Sequence, residues 1–155
     1  MFRLCGAFMV VVSSFAMFYV NTIRYYVTAN FVLQSLEFLK LMQFACNTGS
    51  TYMQALEVDR DKMPPHYKNF AFQNSDVFFR NKCKGLIAPQ AVYKIQNIIS
   101  GLGKRDLYNE TGYIESGIKL QSELLEYYKN KHIESRKINR LCGISIGLII
   151  VIVII

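Results

Sequence analysis

The sequence predicts an all-α fold, a helical bundle flanked by an N-terminal and a C-terminal transmembrane helix. Three observations predict it. Hydrophobic residues make up 52% of the 155-residue chain, and they gather at its two ends while the middle holds nearly all the charge. Each end carries a long run without a single charged residue. Between them the apolar positions recur every three or four residues, and no alternating segment competes as a strand. The expected division is a first span within residues 1–24, a cytoplasmic helical domain over 25–140 and a second span over 141–155.

The first run, LCGAFMVVVSSFAMFYVNTI over residues 4–23, is uncharged, and as a helix it rises about 30 Å, the depth of a bilayer hydrocarbon core. Arg3 and Arg24 bracket it, with Tyr19, Tyr25 and Tyr26 where interfacial aromatic rings belong. A cleaved signal peptide is the competing reading, but the run closes on bulky residues where a peptidase needs small ones. The second run, LCGISIGLIIVIVII over residues 141–155, covers about 22 Å as a helix, so snorkelling of Arg140 or local thinning of the bilayer must close the gap. Gly143 and Gly147 form a GxxxG pair, a candidate groove for contact with another transmembrane helix.

The middle divides into helices at its breakers. Phe31, Val32, Leu36, Leu39 and Met42, with Phe38, Leu41 and Phe44 widening the stripe, continue the first helix to Asn47. Gly49 in NTGST stops it, and Ser50 or Thr51 can cap a short helix TYMQALE. A polar stretch ending in Pro64 and Pro65 makes a linker. Helical spacing of Phe70, Phe78 and Cys83 predicts a further helix from Tyr67 to Lys84. Pro89 suits the first turn of the next, with Ala91, Val92, Ile95, Ile98 and Ile99 inside and a stop at Gly101 and Gly103. Asp106 can cap a last helix that buries Ile114, Ile118, Leu124, Leu125 and Tyr128 and then runs into the second span; Gly112 and Gly117 weaken its start.

Eighteen Lys and Arg against eleven Asp and Glu give a net charge of +7. The basic residues are spread along the middle without a nucleic-acid motif, so they read as the cytoplasmic excess expected beside membrane spans. Of the cysteines, Cys5 and Cys142 lie in the apolar ends, and Cys46 and Cys83 read as reduced thiols. His66 and His132 have no catalytic partner at a recognisable spacing, Asp59 and Asp61 lack the rest of a calcium loop, and no glycine-rich phosphate cradle occurs. No enzyme, cofactor, metal, nucleic-acid partner or small-molecule substrate is therefore expected. Arg80, Lys82, Lys84, Lys104 and Arg105 stand at helix ends, where they complement helix dipoles or form an electropositive face for docking an acidic partner.

The order of elements resembles stage III sporulation protein AB, a membrane-protein family of endospore-forming bacteria. The likeness is carried by FRLCGAFMVV at the start, by the hairpin LQSLEFLKLMQFACNTGSTYMQALE, by IISGLGKRD with Leu102, Gly103 and Asp106 as a Leu-Gly-x-x-Asp segment, and by the closing KINRLCGISIGLIIVIVII. The hairpin is similar to one in the cytoplasmic domain of type II secretion system F proteins. Two positions depart from the family pattern: Phe44 where an acidic residue is usual, and Glu110 where a Gln is usual. The resemblance implies a platform subunit of the secretion-like channel between mother cell and forespore, with other membrane subunits, membrane lipid and a cytoplasmic sporulation ATPase as partners. The alternative from the residues alone is a general membrane adaptor, unrelated to sporulation, whose basic domain binds proteins or anionic lipids.

Within twenty residues of the spans the middle offers Arg24, Lys40, Lys129, Lys131, Arg136, Lys137 and Arg140, against Arg3 outside. Protease added to spheroplasts is accordingly expected to leave the central domain intact, and its digestion there would refute the orientation.

Overall fold

The computed structural model describes the backbone of residues 2–58, 60–68, 70, 77–80 and 85–154; side chains are described at these residues except 2–11, 14, 15, 58, 60, 107 and 147–154. All regular structure among the described residues is helical. Helix α1 spans Phe2–Asn47, α2 Tyr52–Val58, a 3-10 turn Arg60–Lys62, α3 Pro89–Ile99 and α4 Leu107–Ile154.

Helix α1 runs 46 residues without interruption, because the stretch contains no proline and Gly6 is its single glycine. Its end is chemically explicit. Gly49 takes the left-handed conformation at φ +87°, so that the Ser50 N–H reaches back to the Ala45 carbonyl at 3.0 Å and the Gly49 N–H to the Cys46 carbonyl at 3.0 Å. These two bonds satisfy carbonyls that the helix end would otherwise leave unpaired. Helix α2 then starts on a capping box. Thr51 Oγ1 accepts from the Gln54 N–H at 3.4 Å while Gln54 Oε1 accepts from the Thr51 N–H at 2.9 Å.

The helix expected from Tyr67 to Lys84 does not begin where its spacing suggests. Residues 65–68 form turns, closed by the Tyr67 N–H on the Pro64 carbonyl and the Phe70 N–H on the Tyr67 carbonyl. Helical backbone is described at 77–80, and 71–76 and 81–84, including Cys83, lie outside the described residues. Aromatic packing overrides periodicity here. Tyr67, Phe70, Phe78 and Phe79 are all buried, and they converge as one ring cluster on α1. Phe38 stacks on Tyr67 at 4.8 Å between centroids and meets Phe70 edge-on at 5.8 Å, while Phe78 and Phe79 are perpendicular at 5.0 Å. Offset and edge-to-face pairs of this kind contribute about 0.5–1.5 kcal/mol each beyond the area they bury.

Helix α1 also holds the ends of the connecting segments. Gln34 Oε1 accepts from the His66 N–H at 3.2 Å, and the buried Thr28 hydroxyl accepts from the Ala88 N–H at 2.9 Å, one residue before Pro89 opens α3. Ala91, Val92, Ile95 and Ile99 form the buried face of α3, as the sequence predicts, with Ile98 partly buried. In α4, Ile114, Leu125 and Tyr128 are buried and Ile118 and Leu124 pack against the core. Gly117 strengthens rather than weakens this helix's packing: a Cβ there would come within 2.8 Å of Ile98 and 3.3 Å of Leu39, so its absence lets α1, α3 and α4 close together.

Helix α4 extends 48 residues and packs along α1. Thr22 meets Ser135 and Asn139, Tyr25 meets Tyr128, and Leu39 lies near Gly117. Later residues of one helix meet earlier residues of the other, so the pair is antiparallel. Neither helix breaks at the boundaries near residues 24 and 141 expected from composition. Among the described residues, no helix is long and apolar enough to cross a membrane. Much of each run expected as a span, 4–11 with 14–15 and 147–155, lies outside the residues whose side chains are described.

One core expectation fails: Phe44, assigned to the buried stripe of α1, is 65% exposed, because it falls on the side of α1 that neither α4 nor the aromatic cluster covers. Replacing Phe38 by Ala is therefore expected to cost about 3–5 kcal/mol, and Phe44→Ala less than about 0.5 kcal/mol. Denaturant unfolding of the full-length chain, followed by circular dichroism, measures both.

Candidate partner-docking site

The Leu-Gly-x-x-Asp segment is the turn between α3 and α4, and each of its residues has a distinct physical task. Leu102 is buried and plugs the core beneath the turn. Gly103 adopts φ +74°, which costs a residue with a Cβ about 1–2 kcal/mol, and a Cβ there would lie 2.8 Å from the Tyr52 ring. Asp106 precedes α4. Its carbonyl accepts the Glu110 N–H at 2.9 Å as the first helical bond, and its carboxylate accepts from Asn109 Nδ2 at 2.6 Å.

Glu110 locks this turn from inside. It is only 3% exposed, it stands in the first turn of α4, and its Oε1 accepts from the Gly103 N–H at 2.8 Å. Burial and the Glu110 carboxylate both raise the Tyr52 phenol far above its ordinary value. Burial, and secondarily Glu110, raises the Cys46 thiol, so both groups stay protonated at neutral pH. Cys46 is buried and unbridged. The carboxyl group thus ties the start of α4 to the turn before it, close enough to the end of α1 and the start of α2 to act on Cys46 and Tyr52.

Basic and apolar groups are exposed on these same elements. Lys104 and Arg105 lie on the turn, both exposed. Arg105 is held in place: its Nη1 donates to the Gly101 carbonyl at 2.7 Å and its guanidinium sits 3.7 Å over the Tyr113 ring. Phe44 at the end of α1, Met53 in α2 and Tyr108 in α4 are 65%, 64% and 87% exposed. Large apolar side chains that the fold leaves in water, on elements that meet at the turn carrying Lys104 and the anchored Arg105, mark a surface suited to a partner.

Of the five residues read from the sequence as a docking face, the structure brings Lys104 and Arg105 together on this turn. Arg80 is exposed on the separate helical stretch at 77–80, and Lys82 and Lys84 lie outside the described residues. Phe44, Met53 and Tyr108 were not legible as surface groups, since helical spacing alone makes an apolar residue look like core. Gly143 is exposed with open space around it inside the chain; the position of Gly147 relative to other side chains lies outside the described residues. Among the described residues no three His, Cys, Asp or Glu gather as a metal-binding group. No family model, curated protein or solved structure matches the chain.

Replacing Glu110 by Ala removes the acceptor of the Gly103 N–H and is expected to lower stability by about 1–3 kcal/mol. Glu110→Gln keeps an acceptor oxygen and should cost much less, while Gly103→Ala should destabilise through both its φ and the Tyr52 ring. Thermal unfolding of the three variants checks this order, and equal melting temperatures for the Ala and Gln variants at Glu110 would contradict it.

Proposed function

We propose that the chain is a membrane-anchored platform subunit of a secretion-like channel complex of sporulating cells, and that the end of its bundle around Glu110 docks a cytoplasmic ATPase. The observation that carries the anchoring is the antiparallel pairing of α1 and α4. Both helices continue past Thr22 and Asn139 in the same direction, into the two uncharged runs of the sequence. We read that order as two spans leaving the bundle on one side, with the α3–α4 turn at the opposite end, in water.

The sporulation assignment rests on the order of anchor, hairpin, Leu-Gly-x-x-Asp turn and closing span. The distinct task found for each of Leu102, Gly103 and Asp106 supports treating that segment as a unit. The role is one of positioning. A partner seated there meets Lys104 and the anchored Arg105 together with apolar groups at Phe44, Met53 and Tyr108, and a surface carrying both acidic and hydrophobic groups is its complement.

The test is capture of the sporulation ATPase by the full-length chain in detergent. Lys104→Glu, and Phe44→Ala combined with Tyr108→Ala, are expected to weaken capture at least tenfold without lowering the melting temperature. Capture that is absent in the unaltered chain, or unaffected by both changes, refutes the docking role.

A further inference from the structure

A second site lies further along the helix pair. There residues 19–26 of α1 and 132–140 of α4 line a groove of about 750 Å³, a volume in the range of small-molecule pockets. Its floor is a polar knot between the helices. Thr22 Oγ1 donates to the Phe18 carbonyl at 3.1 Å, accepts from Asn139 Nδ2 at 2.7 Å and is hydrogen-bonded to the Ser135 hydroxyl. His132 Nδ1 donates to the Thr22 carbonyl at 3.2 Å, and its ring lies 5.5 Å from that of Tyr26. These bonds use both hydroxyls and the Asn139 amide hydrogen. Asn139 Oδ1 remains buried without a hydrogen-bond partner, an oxygen that requires a donor.

The walls are cationic. Arg136, Lys137 and Arg140 line the groove, successive turns of α4 placing Arg136 and Arg140 one above the other. None of the three has a carboxylate partner among the described residues; the neighbouring acid, Glu134, is bound to Lys131 at 2.9 Å. Tyr19 and Tyr26 supply the opposite side from α1.

The geometry points to a binding site for the headgroup of an anionic phospholipid, with its phosphate on Arg136, Lys137 and Arg140. Phosphatidylglycerol supplies that phosphodiester with acyl chains attached. Arginine and lysine supply several donors to phosphate oxygens at once. This site rests on the membrane-hairpin reading above, which puts Arg24 and Arg140 at the edge of the hydrocarbon, the depth at which headgroups and aromatic side chains are found. A free phosphate ion offers the charge but no acyl chains for the apolar part of the groove, where Tyr19, Ile23 and Ile133 lie.

The experiment titrates the full-length chain in non-ionic detergent with phosphatidylglycerol or phosphatidylcholine of matched acyl chains, counting bound lipid by native mass spectrometry. At least fivefold preference for phosphatidylglycerol is expected. It should vanish in the triple variant Arg136→Gln, Lys137→Gln, Arg140→Gln and persist in Lys40→Gln, Lys68→Gln, Lys119→Gln, which removes the same charge from exposed positions elsewhere. The single variants Arg136→Gln and Arg140→Gln, at exposed helical positions, give the same reading if the triple variant loses helicity. Equal binding of the two lipids, equal loss in both triple variants, or displacement of the lipid by inorganic phosphate at matched concentration overturns the site. Recovery of the unaltered chain without detergent removes the membrane reading and the site together, whereas a membrane-held chain with no lipid preference removes the site alone.

Discussion

The structure depends on the lengthwise contact between α1 and α4. They are 46 and 48 residues long, so each rises about 70 Å, and all the shorter pieces attach to this pair. Two such helices are unstable alone in water, since helical stability comes mainly from burying an apolar face. Here the buried face changes character along its length. Near Phe38 and Leu39 it is aromatic and aliphatic, covered by Tyr67, Phe70, Phe79 and α3; near Thr22 it is polar, with Ser135 and Asn139 bonded across the gap.

That change of character explains why the two ends can do different work. An apolar contact tolerates sliding, because dispersion attraction is not directional. A knot of two hydroxyls and an amide does not, because each hydrogen bond has one good geometry. Thr22, Ser135 and Asn139 therefore set the register of the pair. At the far end, Glu110 on Gly103 fixes the turn into α4, and the Gly49 stop on Ala45 and Cys46 fixes the end of α1. The polar knot thus supplies position to the pair, and the apolar contact around Phe38 and Leu39 supplies stability.

How much of this was legible in the sequence differs from element to element for physical reasons. The breakers were legible, because Gly49, Pro89 and Gly103 act through local backbone chemistry that needs no partner. So was the buried face of α3, where a short amphipathic helix lies on a single surface. The segment after Pro65 was not: Tyr67, Phe70, Phe78 and Phe79 satisfy helical spacing, but what orders Tyr67 and Phe70 is convergence on Phe38, which is distant in the chain. Phe44 misled for the converse reason, since spacing counts an aromatic residue as core whether or not a neighbour arrives to cover it. Lys104 and Arg105 could be found as charges on a turn, while the polar knot could not, because Thr22 and Asn139 are 117 positions apart and neither is unusual where it stands.

A platform must keep the partner's seat at a constant distance from its anchor while the partner changes shape, and continuous helices meet that need better than linked segments. Helix α4 begins with Glu110, beneath the proposed ATPase seat, and passes through Asn139, at the proposed headgroup groove, with no proline and no break between them. A load on the Lys104–Arg105 turn is therefore carried along a rod whose backbone hydrogen bonds would all have to strain together, whereas a hinge would absorb it at a few dihedral angles. The proposed headgroup groove would add the matching restraint, since cations held on anionic headgroups resist axial movement of a helix in a way that apolar segments, indifferent to small shifts within hydrocarbon, do not. The proposed seat and the proposed groove lie on one continuous helix, so holding one fixes the position of the other.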